Sequence, residues 1–267
     1  ADLLTVERKV NPKTDKLRDE IVVDDVRDVG EFLHLTPGEG GWRVVVVDSA
    51  DEMNRNAANA LLKVLEEPPR QALLLLVAHA PGRLLPTIRS RCRRLSLGPL
   101  PDATVAELLA RYRPDLADGD RQLLARLAEG SIGRALAVAE SGGLELYRDM
   151  AAQLLALPKL DVAGLHGFAD RFGFGGSADD RFRLAAELLT GWLGRMIRTA
   201  ATGQKSPEIV TGETACMERL ARLSSLDQWL ELWEKIGNLF ARTESVNLDR
   251  RQVWIGAMLD IAGLAGR

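Results

Sequence analysis

The sequence predicts an α/β domain over its first hundred residues and all-helical domains after it. Three observations carry this prediction: short β-branched runs alternate with amphipathic stretches up to about residue 98, Pro99 and Pro101 end that alternation, and helix-period apolar patterning without strand signals follows. On length alone, 267 residues with 46% hydrophobic content supply material for about two domains.

Glu20-Ile21-Val22-Val23 is the first strand signal, and a helical stretch runs from Val26 to Leu35. Thr36 to Gly41 reads as a Gly/Pro turn. Trp42-Arg43-Val44-Val45-Val46-Val47 then reads as a strand buried on both faces, as in a parallel sheet core. Asn54 is placed to cap a helix over residues 57–67, which Pro68-Pro69 must stop. Residues 72–78 read as a second buried strand, followed by a Pro81-Gly82 turn, a short helical piece and a last brief strand at Leu95 to Leu97.

Past a boundary near residue 99, helices are expected at about 102–112, 118–128, 132–140 and 144–156. Asp102 and Asp118 serve as caps, and Gly130, Gly142-Gly143 and Pro158 punctuate. A further helical unit is expected at about 161–172, 180–201, 214–223, 226–242 and 249–264, with Trp192, Trp229, Trp233 and Trp254 at positions suited to burial. The domains are therefore expected at 1–98, 99–158 and 159–267.

A formal net charge of -3 argues against a protein whose main task is gripping a phosphate backbone, so any nucleic acid contact is expected to be shared with partners. Cys92 and Cys216 lie far apart, and His34, His79 and His166 have no ligand spacing, which implies a reducing, cytoplasmic setting without a structural metal. The apolar runs are too short to span a bilayer, and the start lacks a signal-peptide layout. Ala1 is not a natural start, so residues before it are expected.

Asp48 ends the valine strand, where α/β nucleotide-binding folds hold the magnesium of a nucleoside triphosphate; ending a strand or starting a turn is the commoner role of such an aspartate. An active ATPase places a glutamate beside it, but here stands Ser49, whose hydroxyl is no base at neutral pH. Asp51-Glu52 reads as a solvated turn. No phosphate loop occurs: Gly203-Gln204-Lys205-Ser206 lacks the upstream glycine, and a phosphate loop, if there is one, is expected ahead of Ala1.

Arg83, Arg89, Arg91, Arg93 and Arg94 surround the tripeptide Ser90-Arg91-Cys92. A solvated basic face is the commonest reading of such a cluster. A nucleic acid patch is disfavoured because no aromatic residue is interleaved for stacking. The third reading is a guanidinium on a rigid base just before a strand, reaching across a subunit interface to a neighbour's ATP.

Val44-Val45-Val46-Val47-Asp48, then Asn59-Ala60-Leu61-Leu62-Lys63-Val64-Leu65-Glu66-Glu67-Pro68-Pro69, then Leu84-Leu85-Pro86-Thr87-Ile88-Arg89-Ser90-Arg91-Cys92, together resemble the clamp-loader branch of AAA+ proteins. The resemblance implies an N-terminally truncated, P-loop NTPase-like AAA+ α/β domain to about residue 98, an all-α lid to about 158 and an all-α collar domain used for ring assembly. Lacking the glutamate after Asp48, the chain resembles the family's delta-prime branch, which does not hydrolyse ATP, rather than its gamma or tau motors. The same resemblance implies Arg91, within Ser90-Arg91-Cys92, as an arginine finger given in trans, and Asp48 as a degenerate Walker B residue. ATP and magnesium belong to the neighbouring subunit, and no metal or cofactor is assigned to this chain. Implied partners are gamma/tau and delta subunits, with the beta sliding clamp and primed DNA reached through the DNA polymerase III assembly during replication. Gly130-Ser131-Ile132-Gly133-Arg134-Ala135-Leu136 looks like the family's sensor-2 segment, but Arg134 falls one place late and is not assigned to nucleotide. Asn247-Leu248-Asp249-Arg250-Arg251 resembles the start of the last collar helix, and the four-cysteine zinc module of many relatives is absent from these residues. Two rival readings stay open: an ATPase active by itself through an upstream phosphate loop, and a pure scaffold in which Ser90-Arg91-Cys92 only packs.

Overall fold

The computed structural model describes residues 2–11, 16–35, 38, 41–173, 176–205 and 207–266, and it divides into two compact units, Ala1–Leu97 and Gly98–Arg267. The first unit runs β1 (Leu3–Glu7), β2 (Val10–Asn11), β3 (Lys16–Leu17), α1 (Val23–His34), β4 (Arg43–Asp48), α2 (Arg55–Glu66), β5 (Ala72–Leu76) and the short α3 (Pro86–Arg89). β1, β4 and β5 form a parallel sheet with β4 central, in register Val6 to Val47 and Val47 to Leu76. β2 and β3 pair antiparallel, and the buried Asp25 of α1 takes ion pairs from Lys9 and Arg18, both at 3.4 Å, beside that hairpin.

Side chains alternate across a strand, so Val6, Val45 and Val47 share one face of the sheet. Onto that face pack Val26, Val29 and Leu33 of α1 and Ala57, Leu61 and Val64 of α2, which together make the core of this unit. The other face departs from the expectation of strands buried on both sides: Leu3, Leu73 and Leu75 are 57, 42 and 47% exposed, and Val44 and Val46 are half-buried. A run of valines suits a pleated strand whether one face or both are covered, so composition could not separate the cases.

β1 is a strand the sequence did not announce, and the expected strand at 20–23 reduces to one bridge between Ile21 and Met53 ahead of α1. Asn54 caps α2 as expected, its Oδ1 accepting from the Ala57 amide at 2.9 Å. The strand expected at Leu95 to Leu97 is absent: these residues are irregular, and the two leucines are 81 and 86% exposed. A strand persists only where a ladder satisfies its amides and carbonyls, and these residues join none. The Thr36 to Gly41 turn lies largely outside the described residues.

The second unit has helices and no strand among its described residues: α4 (Asp102–Tyr112), α5 (Asp118–Leu127), α6 (Ile132–Glu140), α7 (Gly143–Leu155), α8 (Val162–Ala169), α9 (Gly176–Thr202), α10 (Glu213–Ala221), α11 (Leu226–Ser245) and α12 (Arg250–Ala265). Ser131, Ser225 and Asp249 cap α6, α11 and α12 with their side chains. Asp102 and Asp118 do not cap: Pro101 and Ala117 hold those positions, and the two carboxylates sit in the first turn, where they complement the helix dipole. Gly130 has φ +84°, and a Cβ there would fall 2.4 Å from the Cβ of Pro99, so the turn before α6 requires glycine.

Residues on both sides of position 159 contribute to one continuous apolar core, from Val105 to Ala265. At its aromatic centre Trp254 meets Phe168 at 5.0 Å and Phe172 at 5.3 Å, and Phe182 meets Phe172 at 5.5 Å edge-on. Trp192, Trp229 and Trp254 are buried, whereas Trp233 is 37% exposed, its indole donating to the Thr190 carbonyl at 3.0 Å.

Candidate functional site

β4 delivers Asp48 to the C-terminal edge of the sheet, where its carboxylate is exposed. The buried Ser49 donates its hydroxyl to Asp48 Oδ1 at 3.2 Å. The position beside Asp48 therefore holds a hydrogen-bond donor in place of a base. Asp51 is not the solvated turn residue that its position suggested, because its carboxylate accepts from the His79 and Ala80 amides, both at 3.0 Å, and ties the loop after β4 to the loop after β5. Slight burial pushes the Asp51 pKa up, but the Ala80 and His79 amides outweigh it and hold the group below the ordinary carboxylate range. Glu52 pairs with Arg8 at 2.8 Å, so both acids are engaged elsewhere.

The second candidate group is built by α3. Pro86 starts the helix with its φ already set, and the fully buried Ile88 pins it. Ser90 closes the turn, its hydroxyl donating to the Thr87 carbonyl at 3.1 Å. Arg91 Nη1 donates to the same carbonyl at 2.9 Å and to Ser90 Oγ at 3.4 Å, and Nη2 lies 2.6 Å from Glu66 Oε1 at the end of α2. A guanidinium has five N–H donors; these contacts hold part of the fork, and the side chain stays 35% exposed. With Glu66 49% exposed, the pair contributes no more than about 1 kcal/mol of stability, so it matters for where the guanidinium is rather than for folding. No strand follows Arg91, and the rigid base comes instead from Ile88 and the α2 contact.

Cys92 is half-buried, and burial pushes its thiol pKa up, which suits packing better than nucleophilic chemistry. Arg83, Arg89, Arg93 and Arg94 are exposed. Asp48 and Arg91 each keep their own partners, and the structure does not bring them into contact. In the second unit Arg134 pairs with Glu129 at 3.4 Å, and Glu129 also meets Arg198 at 3.6 Å. Among the described residues no group of three or more His, Cys, Asp or Glu could hold a metal ion, and no helix is long and apolar enough to cross a membrane.

Sequence reasoning missed two arrangements. One is the grip of Glu66 on Arg91, for which the only signal was an acidic pair at a helix end. The other is a buried cluster in the second unit: Glu213 accepts from the Tyr147 hydroxyl, from Arg195 at 3.4 Å and from the Ile209 amide at 3.0 Å. Burial, reinforced by Glu213, pushes the Tyr147 hydroxyl well above its ordinary pKa although Arg195 opposes it. Three polar residues on three helices leave no local pattern.

Residues 1–101 match the family described as DNA polymerase III, delta subunit. The DNA polymerase III subunit delta' of Pseudomonas aeruginosa is 51% identical over 113 residues, covering 42% of this chain and 34% of that protein. The subunit delta' of Escherichia coli is 40% identical over 144 residues, covering 53% of this chain and 42% of that protein. The subunit tau of Escherichia coli is 36% identical over 122 residues, 44% of this chain and 19% of that protein. The matched stretch thus spans less than half the length of each of these relatives. Over the matched residues, the α/β unit with its parallel sheet and these motifs is thus similar to DNA polymerase III delta' subunits.

Proposed function

We propose that the chain acts as the non-hydrolysing, delta-prime-type subunit of the DNA polymerase III clamp loader. The observation that carries the reading is Arg91, held just past the end of α3 with its side chain 35% exposed in a chain where Ser49 stands at the position of the catalytic base. The relatives named delta' and tau support it from the sequence side.

In this reading Arg91 reaches a neighbouring gamma or tau subunit and stabilises the charge that develops on the oxygens of the transferring phosphoryl group. ATP and magnesium sit on that neighbour, and Asp48 is the degenerate remnant of a magnesium ligand. Residues 1–98 form the AAA+ domain, 99–158 the lid and 159–267 the collar that joins gamma/tau and delta subunits into a ring. Through that cytoplasmic assembly the chain supports placement of the beta sliding clamp on primed DNA.

A scaffold reading draws on the same ion pair, since Arg91 bound to Glu66 could serve packing alone. Clamp- and DNA-stimulated ATP hydrolysis by a reconstituted loader separates the two, comparing parent with Arg91→Ala after equal assembly is checked. A finger is worth roughly three to five orders of magnitude at its own site, partly masked by the other sites of the ring. Unchanged turnover would leave the scaffold.

A further inference from the structure

We propose that Glu66 is the positioning residue that aims Arg91, an inference that rests on the finger reading above. The argument is mechanical. Thr87 and Ser90, which take hydrogen bonds from the guanidinium at 2.9 and 3.4 Å, lie in and beside α3 and move with it. Glu66, at 2.6 Å, is the contact from another element. It is the last residue of α2, and α2 is fixed to the sheet through Leu61 and Val64 in the core. The carboxylate therefore references the guanidinium to the sheet rather than to a four-residue helix.

Arginine has many rotamers, and one left in solvent must be ordered each time it meets a phosphate. Glu66 orders it beforehand through one N–H of Nη2; with Nη1 taken by Thr87 and Ser90, Nε–H and the second N–H of Nη2 stay available to an incoming phosphoryl group. The carboxylate next door does not share this role: Glu67 is exposed and sits past the helix end, with no hydrogen bond or ion pair from its side chain among the described residues.

The test uses the full-length chain in the complete loader with clamp and primed DNA, measuring kcat and KM for ATP. Glu66→Gln should lower kcat by about tenfold or more while leaving KM within about twofold, as expected when a reacting group is misplaced without loss of ground-state binding. Glu66→Asp, which keeps the charge, should recover part of that loss, and Glu67→Gln should match the parent. Because Glu66 acts through Arg91, the double variant Glu66→Gln/Arg91→Ala should be no slower than Arg91→Ala alone. Melting temperature and assembly should be unchanged in each. If Glu66→Gln runs at the parent rate while Arg91→Ala is slow, the finger stands and the positioning role falls. A double variant slower than Arg91→Ala means that Glu66 acts independently and also overturns it. Parent-like turnover of Arg91→Ala removes both proposals at once.

Discussion

In residues 98–267 the aromatic side chains Trp192, Trp229, Trp254, Phe168, Phe172 and Phe182 are each no more than 3% exposed, whereas the sheet of residues 1–97 leaves Leu3, Leu73 and Leu75 exposed by 42 to 57%. The difference follows from the elements used. A helix has one apolar stripe, and the helices of the second unit bury theirs against each other in a common core. A sheet has two faces, and α1 and α2 cover one of them. Arg91, the group that carries the proposed chemistry, lies in the less enclosed unit just past a short helix, where its side chain remains open to an incoming partner.

Three substitutions bear on that contrast, beginning with the largest expected effect. Trp254→Ala empties the aromatic centre of the second unit and should cost about 3–5 kcal/mol. Urea unfolding followed by tryptophan fluorescence reads it, because Trp192, Trp229 and Trp233 remain in that unit and only Trp42 lies in the other. A loss under about 1 kcal/mol would mean that the core is looser than its burial indicates.

Glu213→Gln keeps the shape of the buried cluster but removes the charge facing Arg195, whose side chain is 9% exposed. A loss of about 2 kcal/mol is expected in the same unfolding measurement. Adding Arg195→Met should restore part of it, since the cost comes from a buried charge left without its partner. Additive losses would show that the cluster is not a unit.

Leu75→Thr should be the mildest, at about 1 kcal/mol or less, because nearly half of the side chain is already in solvent at 47% exposure. Amide hydrogen exchange across β4 and β5 is the readout. A loss approaching that of a buried leucine would break the contrast, by showing this face of the sheet covered in solution.

The amino-acid sequence determined the helices of the second unit, most of them through a 3.6-residue apolar period and α12 through its Asp249 cap and helix-forming residues instead, and also the Asn54 cap of α2 and the three motif runs. Those signals are local: a cap or a period is complete within a few turns. What only the tertiary structure decided is which partner each residue meets. β1 becomes a strand because β4 offers it a ladder, Leu95 and Leu97 stay irregular because nothing does, and Trp233 sits at the surface despite helical spacing suited to burial. Asp51 caps the loop after β5, Glu66 takes hold of Arg91, and Tyr147, Arg195 and Glu213 meet from three helices. Each of these is a contact between segments distant in the chain, and neither propensity nor spacing within one segment specifies the side chain that packing will bring opposite it.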